Sequence, residues 1–528
     1  MNHTKNPVLV FLPLAAMIAF TVFLGVPWMR RVDLQDRSLA WLSLVNMAIW
    51  WAVLWWSLHH LTFRFTSLFR QARPASALTE DATPRFVVLY PTCDDFQWQA
   101  CYSCCSQDYP ADRFRVVICD DSRDPAFVAR IDDFHSQFPE VEVLRRSDRR
   151  GFKAGNLNAA LEKVGGDAGW AIIVDADQHL PQDYVRRFAS VVARTQNNVG
   201  YVQARQISDH ELPVPSTLFQ EALGNEIEVF YSYDLPLRAT YGFLPMIGHG
   251  AALRLTAWRE VPFPEVVSED FAISMEMRNR GWLGAYAAEV QAWESFPPSF
   301  GAFLIRFRKF AGGTAELVRR HFLKFLVGPA RFTEKIDMTM LFGWYVLMPL
   351  IFLNGYLSAY VCHRYWEMRI AALHPALPYV FVVMFMSPLP VLNSVSPNLF
   401  HALRQYMWTT AIYGAALPIA AWRFSIHLLL RRRPSFDRTP KEGREPQLTW
   451  QLRTAMLALG IATIVLAVRW YSPFTPVLCG LGIAYAGIPL FERLNESSFM
   501  GIVARLVVAL PAAAYVYALW LMWQWYRV

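Results

Sequence analysis

The sequence predicts a Rossmann-like α/β domain inserted between transmembrane helices. Three observations carry that expectation. The apolar residues gather toward both ends of the chain, short β-rich runs that lead into acidic residues occupy its middle, and charge is scarce. Of 528 residues, 54% are hydrophobic, 15% aromatic and only 18% charged, where a soluble domain carries roughly 25% charged residues.

Residues 8–28 and 39–63 are apolar runs long enough to cross a bilayer, which takes roughly 20 residues. The first lacks a small-residue cleavage site and is soon followed by another run, so it reads as an anchor and not a removed leader. Residues 299–336 are amphipathic and rich in Phe, Arg and Lys, the pattern of helices lying in a membrane interface. Spans resume at 337–362 and 376–395. Residues 398–430 contain His401, Arg404 and Arg423, and the run Arg431, Arg432 and Arg433 belongs on the cytosolic side. That segment is therefore read as an interfacial or re-entrant helix. Residues 455–468, 473–490 and 501–523 complete a count of about seven spans. The expected units are a transmembrane pair (1–74), a cytosolic catalytic domain (75–298), interfacial helices (299–336), a second membrane block (337–430), a basic cytosolic segment (431–452) and C-terminal spans (453–528).

The formal net charge of +7 fits cytosolic flanks that orient a membrane protein. No recognition motif accompanies it, so nucleic acid is not expected as a partner. Cys93, Cys101, Cys104, Cys105 and Cys119 crowd one stretch. No second pair or His follows at zinc-ligand spacing, and core packing is the favoured reading.

Within the middle segment, residues 85–91, 114–121 and 170–177 are compact apolar runs that end in or lead to acidic residues. Buried parallel strands look like this, and open α/β sheets bind ligands beyond the strands' carboxyl ends. Four elements then follow in order: Thr92, Asp94 and Asp95; Asp120 and Asp121; Lys153 to Asn158 with Asp175 and Asp177; and Ser268, Glu269 and Asp270. Paired carboxylates at a strand end suit a hard divalent cation and the diphosphate it accompanies. Lys153 can add positive charge, and Gly155 permits close backbone approach. A carboxylate such as Asp270 can take the proton of an incoming hydroxyl.

This ordered set resembles the processive family-2 glycosyltransferases of the cellulose, hyaluronan, chitin and curdlan synthase type, over about residues 86–441. The resemblance implies a GT-A fold between membrane helices and a UDP-sugar donor. It implies uridine-binding positions at Thr92, Asp94 and Asp121 with Asp120 beside them, and donor contacts from Lys153, Asn158 and Asp175. It also implies Mg²⁺ or Mn²⁺ on Asp175 and Asp177, and Asp270 as general base with Glu269 beside it. Gly250 falls in the family's acceptor-side loop. The fourth signature, QxxRW, is altered: Arg306, Lys309 and Phe310 stand where Gln, Arg and Trp are expected. Lys keeps the charge but not the planar fork, and Phe keeps a smaller stacking face. An ordinary basic amphipathic helix is the competing reading there.

Residues 436–441 keep the spacing of the cellulose-synthase gating loop, with Thr439 and Lys441 as phosphate-reaching residues; a plain basic linker explains them equally. Trp50, Trp51, Trp55, Trp56, Trp344, Tyr345 and Tyr356 are read as interfacial belts rather than as a sugar channel. The function expected is inverting transfer to a β-linked polysaccharide, with β-glucan favoured, coupled to translocation. The alternative acceptor is a lipid. Membrane lipids are expected around the spans, a partner subunit is compatible, and a bacterial inner membrane with the catalytic domain in the cytosol is the expected location.

Overall fold

The computed structural model describes residues 8–30, 36–68, 83–164, 169–207, 216–368, 388–435 and 446–527. Its middle is a seven-stranded mixed sheet, and helices of membrane length lie on both sides of it in sequence. The strands are β1 (Phe86–Thr92), β2 (Phe114–Asp120), β3 (Glu142–Arg145), β4 (Trp170–Ile173), β5 (Val199–Ile207), β6 (Ala251–Arg254) and β7 (Leu283–Trp293). Their order is β3-β2-β1-β4-β6-β5-β7. β2, β1 and β4 run parallel, as their continuous apolar runs predict, while β6 is antiparallel to both neighbours.

All seven residues of β1 are buried, because helices cover both faces of the sheet. Strand alternation divides them. Phe86, Val88 and Tyr90 join a core with Cys101, Cys104, Phe134 and Phe188, while Val87 and Leu89 join Ala154, Leu157, Trp258 and Ile273 on the other face. Truncating such a residue, Leu89→Ala for example, costs about 2–5 kcal/mol. Cys101 and Cys104 thus pack as small hydrophobes on the helix Trp98–Cys105.

Among the described residues, five helices are long and apolar enough to cross a membrane: Arg37–Thr66, Phe332–Glu367, Leu399–Leu429, Trp450–Arg469 and Phe499–Gln524. Leu9–Phe23 and Thr475–Ala486 are apolar but shorter. Of the expected span 376–395, only Pro388–Val395 lies among the described residues.

Two segments of the membrane region take a definite form. Leu399–Leu429, expected as an interfacial or re-entrant segment, is one continuous 31-residue helix of span length. Its charges sit toward its two ends, and residues 405–422 between them carry no Asp, Glu, Lys or Arg. The side chains of Arg404 and Arg423 can therefore reach out along the helix ends. The helix Phe300–Leu317, expected in the interface, is largely buried. Its Phe303 and Phe307 rings meet the edge of Tyr413 at 5.1 and 5.3 Å between centroids. Small residues at Ala411, Ala415 and Ala416 form part of the same core and let the two helices approach.

Sheet domain and membrane helices are joined by a buried polar knot. Asp337, fully buried, accepts from Arg238 at 2.6 Å and from the Phe243 N–H at 2.8 Å, and lies 3.0 Å from His59 Nε2. Three segments far apart in sequence meet on one carboxylate.

Candidate active site

The carboxyl ends of β1, β2 and β4 open into a cavity of about 1730 Å³. Each acidic residue there is set by its strand. β1 leads into Asp94, whose backbone φ of +56° is unusual for a residue with a side chain. Its carboxylate accepts from the N–H groups of Arg123 and Asp124 at 2.6 and 2.8 Å and from Arg149 at 3.1 Å. Burial would raise this carboxyl, but those backbone and guanidinium donors outweigh it and hold it below the usual range. Thr92 closes β1 and donates to Asp95 at 2.9 Å. Asp121, just past β2, takes a two-pronged bond from Arg146 at 2.7 and 2.6 Å, the planar fork that only Arg offers.

β4 ends at Ile173, and Asp175 and Asp177 follow in its turn. Lys153, in the first turn of the helix Phe152–Lys163, donates to Asp175 and, at 2.9 Å, to the Gly248 carbonyl. Burial works against this ammonium, yet the charges of Asp175 and Glu269 keep its pKa above the ordinary value. His249 Nε2 lies 4.0 Å from Asp175 and 3.7 Å from Glu294. Gly248, at φ +77°, leaves room that a side chain would take: a Cβ there would stand 3.1 Å from Asp270 Oδ2.

Glu269 and Asp270 open the helix Glu269–Asn279. Burial, reinforced by the Asp270 charge, raises the Glu269 carboxyl to about 7. Asp270 is raised too, by burial, against the pull of the Phe271 N–H and of Lys153, Lys309 and His249. Lys309 is pushed down by burial, with Glu269 and Asp175 opposing that shift. The helix Phe300–Leu317 brings Lys309 in by close approach: a Cβ on Gly313 would lie 2.2 Å from Ser268 Oγ. Arg306 stands over the rings of Phe296 and Phe310 at 5.2 and 5.3 Å.

The cavity wall thus brings together Thr92, Asp94, Asp121, Lys153, Asp175, Asp177, Glu269, Asp270, Arg306, Lys309 and Phe310. Three expected site residues stand off it. The Asp120 side chain is buried, taking bonds from Arg145 and the Ser122 N–H, both at 2.7 Å. Asn158 clips the Phe263 backbone in both directions at 2.9 and 3.0 Å. Gly250 is turned into the sheet, its carbonyl accepting from the Ala204 N–H at 2.8 Å. Gly155 also serves another purpose than ligand approach, because a Cβ there would sit 1.9 Å from the Arg150 carbonyl oxygen. Thr439 and Lys441 lie outside the described residues.

Sequence reasoning passed over Arg146 and Arg149, which hold Asp121 and Asp94, and over Glu294. The basic run at 145–150 just before Lys153 was the available signal for the arginines. Of the seven aromatics read as interfacial belts, Trp50, Trp56, Trp344 and Tyr345 line the cavity instead, with Trp56 and Trp344 stacked at 5.3 Å.

A family model described as "Glycosyl transferase family group 2" matches residues 170–521. The chain is 23% identical over 317 residues to glucomannan 4-beta-mannosyltransferase 2 of Arabidopsis thaliana, covering 57% of this chain and 56% of that enzyme. It is 26% identical over 185 residues to beta-monoglucosyldiacylglycerol synthase of Synechocystis sp., covering 34% of this chain and 36% of that one. The chain therefore spans little more than half, or less, of these curated relatives. Among solved structures it resembles a mannosyltransferase of Pyrobaculum calidifontis in complex with GDP-Man and Mn²⁺, with a TM-score of 0.46 and 19% identity over 74% of this chain and all of that one.

Proposed function

The chain belongs to glycosyl transferase family group 2, and on that premise we propose that it moves sugar, with inversion, from a UDP-sugar to a growing β-linked polysaccharide that leaves through its own membrane helices. The observation that carries this is the extent of the cavity. From the carboxylates it continues between the membrane helices, reaching Phe474, Tyr515 and Met522. Trp50 and Arg64 both line it on one helix, and Leu341 and Gly355 on another. Fourteen residues at 1.5 Å each correspond to about 21 Å of depth, against a hydrocarbon core of about 30 Å. Aromatic faces along it suit the C–H faces of sugar rings.

In this proposal Thr92, Asp94 and Asp121 bind the nucleoside and Lys153 the diphosphate. Asp270 accepts the proton of the acceptor hydroxyl while its oxygen attacks the anomeric carbon; the diphosphate departs with the bonding pair on the opposite face. An α-linked donor then yields a β-linkage. Lys153 and Lys309 counter the leaving charge. Asp175 and Asp177 are hard oxygen donors on the cavity wall and fit Mg²⁺ or Mn²⁺, which favours a few carboxylates completed by substrate phosphates. When bound, such an ion would neutralise diphosphate charge. Both gluco- and manno-configured backbones agree with the name of the glucomannan relative, and β-glucan is the first product to look for.

A lipid acceptor is the second reading. The diacylglycerol-named relative and the altered Arg306, Lys309 and Phe310 favour it. One experiment separates the two: incorporation of label from a panel of UDP- and GDP-sugars by nanodisc-embedded protein, with Mg²⁺ or Mn²⁺, followed by sizing of the product. A long chain cut by one specific glycanase supports the polysaccharide; a single sugar on an organic-extractable lipid refutes it.

A further inference from the structure

The cavity contains a second polar cluster, on the membrane side of the strand-end carboxylates. Glu226, on the short helix Asn225–Val229, lines the cavity. Its carboxylate accepts from Tyr413 Oη at 2.5 Å and Thr409 Oγ1 at 3.4 Å, both on the helix Leu399–Leu429. Phe303 and Phe307 pin the Tyr413 ring between them, so the carboxylate is held by a rigid partner. Burial raises the Glu226 carboxyl, while Tyr413 and the positive charge of Arg306 draw it back. Tyr231 also lines the cavity, 3% exposed, and its hydroxyl has no hydrogen-bond partner among the described residues.

A carboxylate serving only to brace the domain against the membrane helices would have its acceptor capacity used up. A carboxylate accepts about four hydrogen bonds, and two hydroxyls leave capacity toward the cavity. A carboxylate, a guanidinium and an unpartnered phenol beside the faces of Phe307, Tyr345 and Phe310 match a neutral sugar ring, with hydroxyls at its rim and C–H groups on its faces. An acidic sugar would meet like charge at Glu226 and be rejected.

We propose that Glu226, with Arg306 and Tyr413, binds the hydroxyls of the neutral acceptor sugar next to the reaction centre on the channel side. This deepens the polysaccharide proposal and rests on it. Arg306 stands where the resembled signature carries Gln, and Glu226 supplies the charge that makes an Arg acceptable there.

The test uses full-length protein in nanodiscs, wild type against Glu226→Gln and Tyr413→Phe, with neutral oligosaccharide acceptors of the sugar found by the donor panel. Hydrogen bonds to a charged partner predict a rise in acceptor KM of roughly tenfold to a hundredfold for Glu226→Gln. The donor KM should move less than twofold, and products should be shorter. Tyr413→Phe, which removes one oxygen, should shift acceptor KM in the same direction by a smaller factor, and it decides alone if Glu226→Gln does not fold. Unchanged acceptor KM and product length in both variants overturn the subsite. So does a parallel loss of donor and acceptor affinity, which marks a bracing role. A wild type that elongates no oligosaccharide and glycosylates only lipid overturns the polysaccharide proposal itself, and this occupant with it.

Discussion

Asp270→Asn separates chemistry from folding at one position. The ionised Asp270 is held against burial, which raises its pKa, so a neutral side chain of the same shape removes a buried charge. The amide oxygen can still accept from the Phe271 N–H, now 2.8 Å from Oδ1. Stability should therefore stay within about 1 kcal/mol of wild type. Loss of a general base costs about 10²–10⁴ in rate, or about 2.7–5.4 kcal/mol of barrier at 1.36 kcal/mol per tenfold. The assay is the initial rate of label transfer at saturating donor, with the thermal midpoint and nucleotide affinity measured on the same preparation. A rate within fivefold of wild type in a folded, nucleotide-binding variant refutes Asp270 as the base. Glu269→Gln would then be the variant to measure.

Four further outcomes follow from the geometry. With Glu269 raised to about 7 and Asp270 raised beside it, the transfer rate should climb as pH rises through neutrality, with an apparent pKa belonging to the pair; a rate flat from pH 5.5 to 8 refutes this. The same shift makes stability run the other way: folded-state carboxyls that hold protons more tightly favour low pH, and their contribution is lost as pH rises from about 4.5 to about 7. Asp337→Ala leaves Arg238 buried without its carboxylate and should cost about 3–5 kcal/mol, read as a lower thermal midpoint; an unchanged midpoint excludes the knot as a clasp. Gly155→Ala would drive a Cβ to 1.9 Å from the Arg150 carbonyl, costing about 1–3 kcal/mol and displacing Lys153, so donor KM should rise in any protein that folds.

Much of the catalytic domain was readable because buried strands announce themselves by continuous apolar runs. β1, β2 and β4 formed where those runs lie, and the acids after them reached one cavity. Asp120 and Asn158, expected at the site, stand off the cavity for a shared reason. A polar residue beside a motif has the same spelling whether it faces ligand or clips a backbone carbonyl, and only the direction of its side chain distinguishes the two. The helix Leu399–Leu429 has span length although its sequence reads as interfacial, because hydropathy counts charges without their depth; charges near a helix end can reach past the apolar layer that central ones cannot.

The sequence by itself determined the α/β domain between membrane helices and the order of its acidic motifs, since both follow from local patterning of apolar runs and turns. Only the tertiary structure decided that Arg146 and Arg149 hold Asp121 and Asp94, that Asp337 ties three segments together, and that aromatics from separate helices share one cavity with the carboxylates. Those are contacts between residues far apart in the chain, and no local preference encodes them; they exist only once packing has brought the segments within hydrogen-bond reach.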